Sequence, residues 1–148
     1  MTRLLGVAVV LLGLAGGGCG SSAEEQRDDY CAAVEEQGAR LTRISDEGGP
    51  GGFIEALPVL EELAGQAPAD LRDEWRTFLD ALRGLRDALS ETGLDPDDVT
   101  ADGLPDGLSQ QERRRVSGAA SVLARDDVRS ATVGIEQHAL DVCSTPLL

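Results

Sequence analysis

Apolar positions along this chain recur every three or four residues over most of its length, which predicts helices. The clearest run is Leu71, Trp75, Phe78, Leu82, Leu85 and Leu89, stepping by 4, 3, 4, 3 and 4. Opposite it, Asp73, Arg76, Asp80, Arg83 and Asp87 step by 3, 4, 3 and 4 with alternating sign. At about 100° per residue the two stripes lie roughly 160° apart, one suited to burial and one to a ladder of surface charge pairs. Gly93 stands where a left-handed cap would close that helix. Upstream, Tyr30, Val34, Leu41 and Ile44 predict a first helix from Asp28, with Asp28 or Asp29 as its N-cap. The Gly/Pro run at 48–52 ends it. A second helix follows on Phe53, Ile54, Leu57, Leu60 and Leu63, kinked or delayed by Pro58, and Pro68 is placed to open the next.

Residues 94–108 are acidic and rich in turn formers, which predicts a loop. Ser109 to Glu112 spells a capping box, so a further helix should run to about Ala124. Val128, Thr132, Ile135, Ala139 and Val142 then define a last helix ending near Cys143. No stretch alternates with period two for long enough to make a strand. The fold class expected is all-α, an antiparallel four-helix-type bundle in which 109–124 is the extra helix.

The N-terminus follows a different pattern. Met1-Thr2-Arg3 precedes an apolar run from Leu4 to Leu14, then small residues, then Cys19. This reads as a secretory signal peptide over 1–18. The apolar run is about 12 residues, short of the roughly 20 a membrane span needs. Two processing routes fit. Leu14 to Ser22 resembles the bacterial lipoprotein signal, in which the Cys is acylated and becomes the new N-terminus; the departure is Gly16, where an aliphatic residue is usual. Ordinary signal peptidase cleavage could instead use Gly16 and Gly18. Residues 19–27 are small and polar and read as a flexible tether, leaving 28–148 as the helical domain.

Cysteine usage bears on that choice. The chain has three, Cys19, Cys31 and Cys143. Outside the cytoplasm an odd thiol is exposed to stray oxidation. Acylation of Cys19 leaves Cys31 and Cys143 to pair, and the count closes. With Cys31 at the start of the first helix and Cys143 at the end of the last, such a bridge needs an even number of long helices, which favours a four-helix core.

Charge changes the picture of partners. The chain carries 27 Asp and Glu against 13 basic residues, a net charge of −14. Removal of 1–18 takes away Arg3 and no acid, which moves the charge to −15. A chain of that sign neutralises no phosphates, so nucleic acid is not an expected partner. It is not drawn electrostatically to anionic lipid either, so membrane association is expected through the lipid on Cys19.

Candidate chemistry is sparse. His138 is the only histidine, too few for a metal site, and is expected on the surface or half-buried without a catalytic role. The chain has no nucleophile-elbow motif and no phosphate-binding glycine loop placed after a strand, so no catalytic residues are assigned. Asp95 to Asp106 fails as a calcium loop, with Val99 and Thr100 at its fifth and sixth positions. Its acids are expected to cap turns, and no cofactor or metal is assigned. Arg113, Arg114 and Arg115 are expected to pair with acids of the same chain. Trp75 and Phe78 fit the core seam, or alternatively an apolar ligand held between helices.

Asp-Asp-Tyr-Cys-Ala-Ala-Val at 28–34, Ala-Pro-Ala-Asp-Leu-Arg-Asp-Glu-Trp at 67–75, and Gln137-His138-Ala139 leading to Val142-Cys143 and Thr145-Pro146-Leu147 together resemble a group of small helical predicted lipoproteins or secreted proteins of high-GC actinobacteria. The resemblance spans roughly Asp28 to Leu147. It implies export, the paired cysteines and a helical fold, and brings no activity with it. The function expected is a non-enzymatic, lipid-anchored or secreted helical module of the cell envelope that binds another envelope protein. The alternative is a carrier or sensor for a small apolar ligand within the bundle.

Overall fold

The computed structural model describes residues 22–48, 51–100 and 103–147. The expected signal peptide, Cys19 and its processing lie outside the described residues. Helix α1 (Ala23–Glu47) starts at a capping box: the Ser22 hydroxyl accepts from the Glu25 N–H at 3.1 Å, and the Glu25 carboxylate accepts from the Ser22 N–H at 3.4 Å. The segment expected as a flexible tether over 19–27 is therefore helical from Ala23 onward, and Asp28 and Asp29 lie inside α1 instead of capping it. Its small, polar composition masked a Ser-x-x-Glu start signal.

The next predicted helix is divided at Ala56 into α2 (Gly52–Glu55) and α3 (Leu57–Gln66), with Pro58 in the first turn of α3. A proline there loses no hydrogen bond, because first-turn N–H groups have no helical partner. Pro68 is extended (ψ 159°) and precedes a 3-10 turn at Ala69–Leu71, so α4 (Arg72–Glu91) begins later than Pro68 alone predicts. At its other end Gly93 takes φ +70°, the Leu94 N–H bonds back to the Leu89 carbonyl at 3.0 Å and the Gly93 N–H to Ser90 at 3.1 Å. That is a complete Schellman cap. Helix α5 (Gln110–Leu123) opens at the predicted capping box, and α6 (Asp126–Cys143) ends at Ser144 in the left-handed region.

Among the described residues the secondary structure is these six helices, two 3-10 turns and one isolated bridge between Thr100 and Gly103. Helix α4 packs on α2, α3, α5 and α6, while α1 packs on α2, α3 and α6. The six seam residues, Leu71 in the 3-10 turn and the other five on α4, are all buried, and so are Leu79, Ala81 and Ala88 beside them. A helix touched by four others needs a wider apolar face than a two-residue heptad seam supplies. On α6 the buried positions are Val128, Ala131, Ile135 and Ala139, and the stripe continues to half-buried Cys143. Val142 is one residue off that stripe and is exposed, contrary to its expected place on the seam.

Cys31 and Cys143 form a disulfide with Cα atoms 5.0 Å apart, 112 residues apart in sequence. Because α1 starts at Ala23, Cys31 lies in the body of that helix and not in its first turn. Beyond the bridge the chain turns back: the Leu147 N–H donates to the Glu136 carboxylate at 3.2 Å, and the Leu147 side chain is fully buried. The Pro146 carbonyl passes 3.6 Å from where a Cβ on Gly38 would stand. Gly38 falls in the gap between Val34 and Leu41 in the apolar pattern of α1, and the C-terminal segment covers that gap.

Candidate functional site

Three rings meet inside the bundle. The Trp75 indole N–H donates to the Tyr30 hydroxyl at 3.1 Å, and the His138 ring stands edge-on to Tyr30 with centroids 5.8 Å apart. Burial disfavours the phenolate and pushes Tyr30 up to about 12; the bond from Trp75 acts the other way, and the charge of Glu136 adds to the rise. His138 is half-buried, as expected, and its Nε2 and Glu74 Oε2 are buried without a hydrogen-bond partner. The cluster ties α1, α4 and α6 together. Trp75 and Phe78 both lie in the packed core.

The charged motifs are mostly satisfied within the chain. Arg115 pairs with Glu91 across α5 and α4 at 3.0 Å, and Arg113 donates to the Pro105 carbonyl at 2.9 Å with Asp106 at 3.9 Å. Arg114 is exposed. Arg83 joins α4 to α3 through Glu61 at 2.8 Å. In the acidic loop, Asp95 and Asp98 close a capping box around a 3-10 turn, the turn-capping role expected for these acids. Among the described residues no group of three or more His, Cys, Asp or Glu side chains is arranged to hold a metal ion.

One acid pair crosses elements. Asp97 beside Glu55, through hydrogen bonding and then charge, holds the Glu55 carboxyl above the ordinary carboxylate range. A raised native pKa means that the folded state favours protonated Glu55 at low pH and bears its like-charge repulsion with Asp97 as pH rises. Asp97→Asn is therefore expected to raise the melting temperature slightly at pH 7 and to leave it unchanged at pH 4. Calorimetry at the two pH values checks this, and an equal shift at both would disprove it.

Of the surface hollows among the described residues, two contrast in lining. One of about 420 Å³ between α1 and α3 is polar, lined by acids and amides that include Asp29, Glu36, Glu62 and Gln66. The other, about 310 Å³, is walled by Phe53, Phe78, Leu82, Leu123, Val128 and Val133. Phe53 is 38% exposed and Val133 61% exposed, although the periodicity assigned Phe53 to a buried face. Adjacent residues on a helix point about 100° apart, and Ile54, in register with Leu57, takes the inward position. The backbone fixes α2 tightly: a Cβ on Gly52 would stand 2.7 Å from the Ile44 carbonyl, and one on Gly51 would strike the Pro96 carbonyl. Sequence reasoning missed this groove. Its only signal was Val133, a large apolar residue outside the stripe of its helix, since Phe53 was counted on a buried face.

Among known proteins, no family model, curated protein or solved structure matches this chain.

Proposed function

We propose that this chain is a non-enzymatic helical interaction module of the cell envelope, anchored through a lipid on Cys19. The Cys31–Cys143 disulfide carries the reading. It belongs to an oxidising compartment and leaves Cys19 as the one cysteine for acylation. The leader-like residues 1–18 supply the export route. An anchored domain of this charge is held off an anionic bilayer by repulsion.

The pairwise packing of α1 with α3, α3 with α4, α4 with α6 and α6 with α1 supports reading these four as an antiparallel four-helix core, with α5 as the extra helix against α4 and α6. An apolar carrier of the interior type has less support, because Trp75 and its neighbours on the seam are packed against one another.

Cys19→Ala is the test of the anchor. Wild-type protein should partition with membranes and the variant should appear in the soluble or secreted fraction. Retention of the variant in membranes at wild-type levels would refute the lipoprotein reading.

A further inference from the structure

We propose that the apolar groove walled by Phe53, Phe78 and Val133 binds a single-chain fatty carboxylate, with the ligand's head group on Arg129. This goes beyond the envelope-module reading and stands or falls apart from it.

Charge selects the head group. The groove is lined by apolar side chains together with Thr132 and Arg129, and by no acid. The Thr132 hydroxyl donates to the Val128 carbonyl at 3.0 Å, so the donor left for a ligand is Arg129. On a chain of net charge −14, an apolar wall whose one charged member is a guanidinium complements a ligand carrying one negative charge.

Arg129 is held within the chain by a single nitrogen. Its Nη2 donates to the Ala124 carbonyl at 3.0 Å and stands 3.5 Å from the Asp126 carboxylate. Its Nε and Nη1 make no hydrogen bond among the described residues. Asp126 is 97% exposed, and an ion pair that open to water is weak and exchangeable. The neighbouring Arg125 differs, since its Nε and Nη2 both grip Asp127, at 3.1 and 2.8 Å. Arg129 therefore keeps donors for the charge-assisted hydrogen bonds that a carboxylate accepts.

Shape selects the tail. At about 30 Å³ per water-sized group, the groove's 310 Å³ holds roughly ten such groups, a medium acyl chain and not a two-chain lipid. The hollow continues along α6 into another of about 240 Å³ that shares Thr132 and Val133, so an elongated occupant lies along the helix. At that far end Glu136 accepts from the Leu147 N–H and Gln137 donates to Asp141, and no cation lines it. The carboxylate is thus drawn to Arg129 and the chain points toward Val133. Phe53 and Val133 stay open to solvent, which covers the chain on one side and sets the expected affinity in the micromolar range.

The test is equilibrium dialysis of the full chain against radiolabelled decanoate, decanol and decylammonium. Wild type should bind decanoate at roughly 10–100 μM and the other two at least about tenfold more weakly. Arg129→Gln should weaken decanoate by about tenfold and leave decanol unchanged, a split that misfolding does not produce. Val133→Asp, at an exposed site, should weaken decanoate and decanol alike. The proposal is overturned if decanoate does not bind at roughly 1 mM, if Arg129→Gln binds it unchanged, or if decylammonium binds as tightly. Sedimentation supplies a further arm. A wild-type dimer that Val133→Asp dissociates and decanoate does not would assign the groove to a second copy of the chain and overturn the proposal.

Discussion

Replacing Cys31 and Cys143 together by Ser is expected to lower the stability of the folded domain by about 4–5 kcal/mol, equivalent to roughly 10–15 °C in melting temperature. The size follows from the sequence separation of 112 residues, because closing a long loop removes more freedom from the unfolded chain than closing a short one. The bridge also holds the end of α6 against the body of α1, where Leu147 and the C-terminal segment cover Gly38. Its loss should therefore loosen residues 144–147 before the rest, giving early amide exchange at Leu147. Reducing the wild-type protein should reproduce the melting shift of the double variant. Either single Ser variant should show the same loss and, without reductant, disulfide-linked dimers. A double variant within about 1 kcal/mol of wild type would mean that packing alone sets the stability, and the loop-closure account would be wrong. Trp75, the only tryptophan and almost wholly buried, reports the transition by fluorescence without a label.

Much of this architecture was legible because local signals agreed with the packing. The seam from Leu71 to Leu89, the Gly93 cap, the Ser109 capping box and the pairing of Cys31 with Cys143 depend on spacings within one helix or on a count of three cysteines. The misses came from long-range contacts or from competing readings of one segment. Ser22 to Glu25 was at once a polar tether and a capping box, and only the helix it starts decides between them. The interruption at Gly38 is explained by residues more than a hundred positions later. Leu147 follows a helix-ending serine and has no periodic company, yet its side chain is fully buried. The groove was unreadable for a related reason. It forms only where α2, α4, α5 and α6 converge, walled by core residues such as Phe78 and Leu82 together with exposed Phe53 and Val133. Chemistry-bearing residues were easier, since a lone histidine and intramolecular arginine pairs leave little to locate.

Trp75→Ala is expected to destabilise the protein by about 3–5 kcal/mol, since it empties a large site at the contact of α4 with the helices around it. The hydrogen bond within the three-ring cluster can be isolated from that packing effect. Tyr30→Phe keeps the ring against His138 and removes only the hydroxyl, leaving the Trp75 N–H buried without an acceptor, at a cost of about 1–3 kcal/mol. Trp75→Phe leaves the Tyr30 hydroxyl without its donor. If the two groups stabilise the fold through each other, the double variant should be less destabilised than the sum of the singles by about 1 kcal/mol, and strict additivity would show that the bond contributes nothing. Alkaline pH gives an independent measurement. Tyr30 is the only tyrosine, so phenolate absorbance reads its ionisation directly, with a folded-state midpoint pushed up to about 12. Between pH 10 and 12 the unfolded chain has released this proton while the folded chain keeps it. Folding then binds more protons than unfolding, and stability must fall as pH rises. Stability from this group is fully present below pH 10 and is lost on approach to 12. Tyr30→Phe should flatten that part of the pH profile, and a wild-type phenol that titrates near 10 while the helical signal persists would show that the hydroxyl is not desolvated.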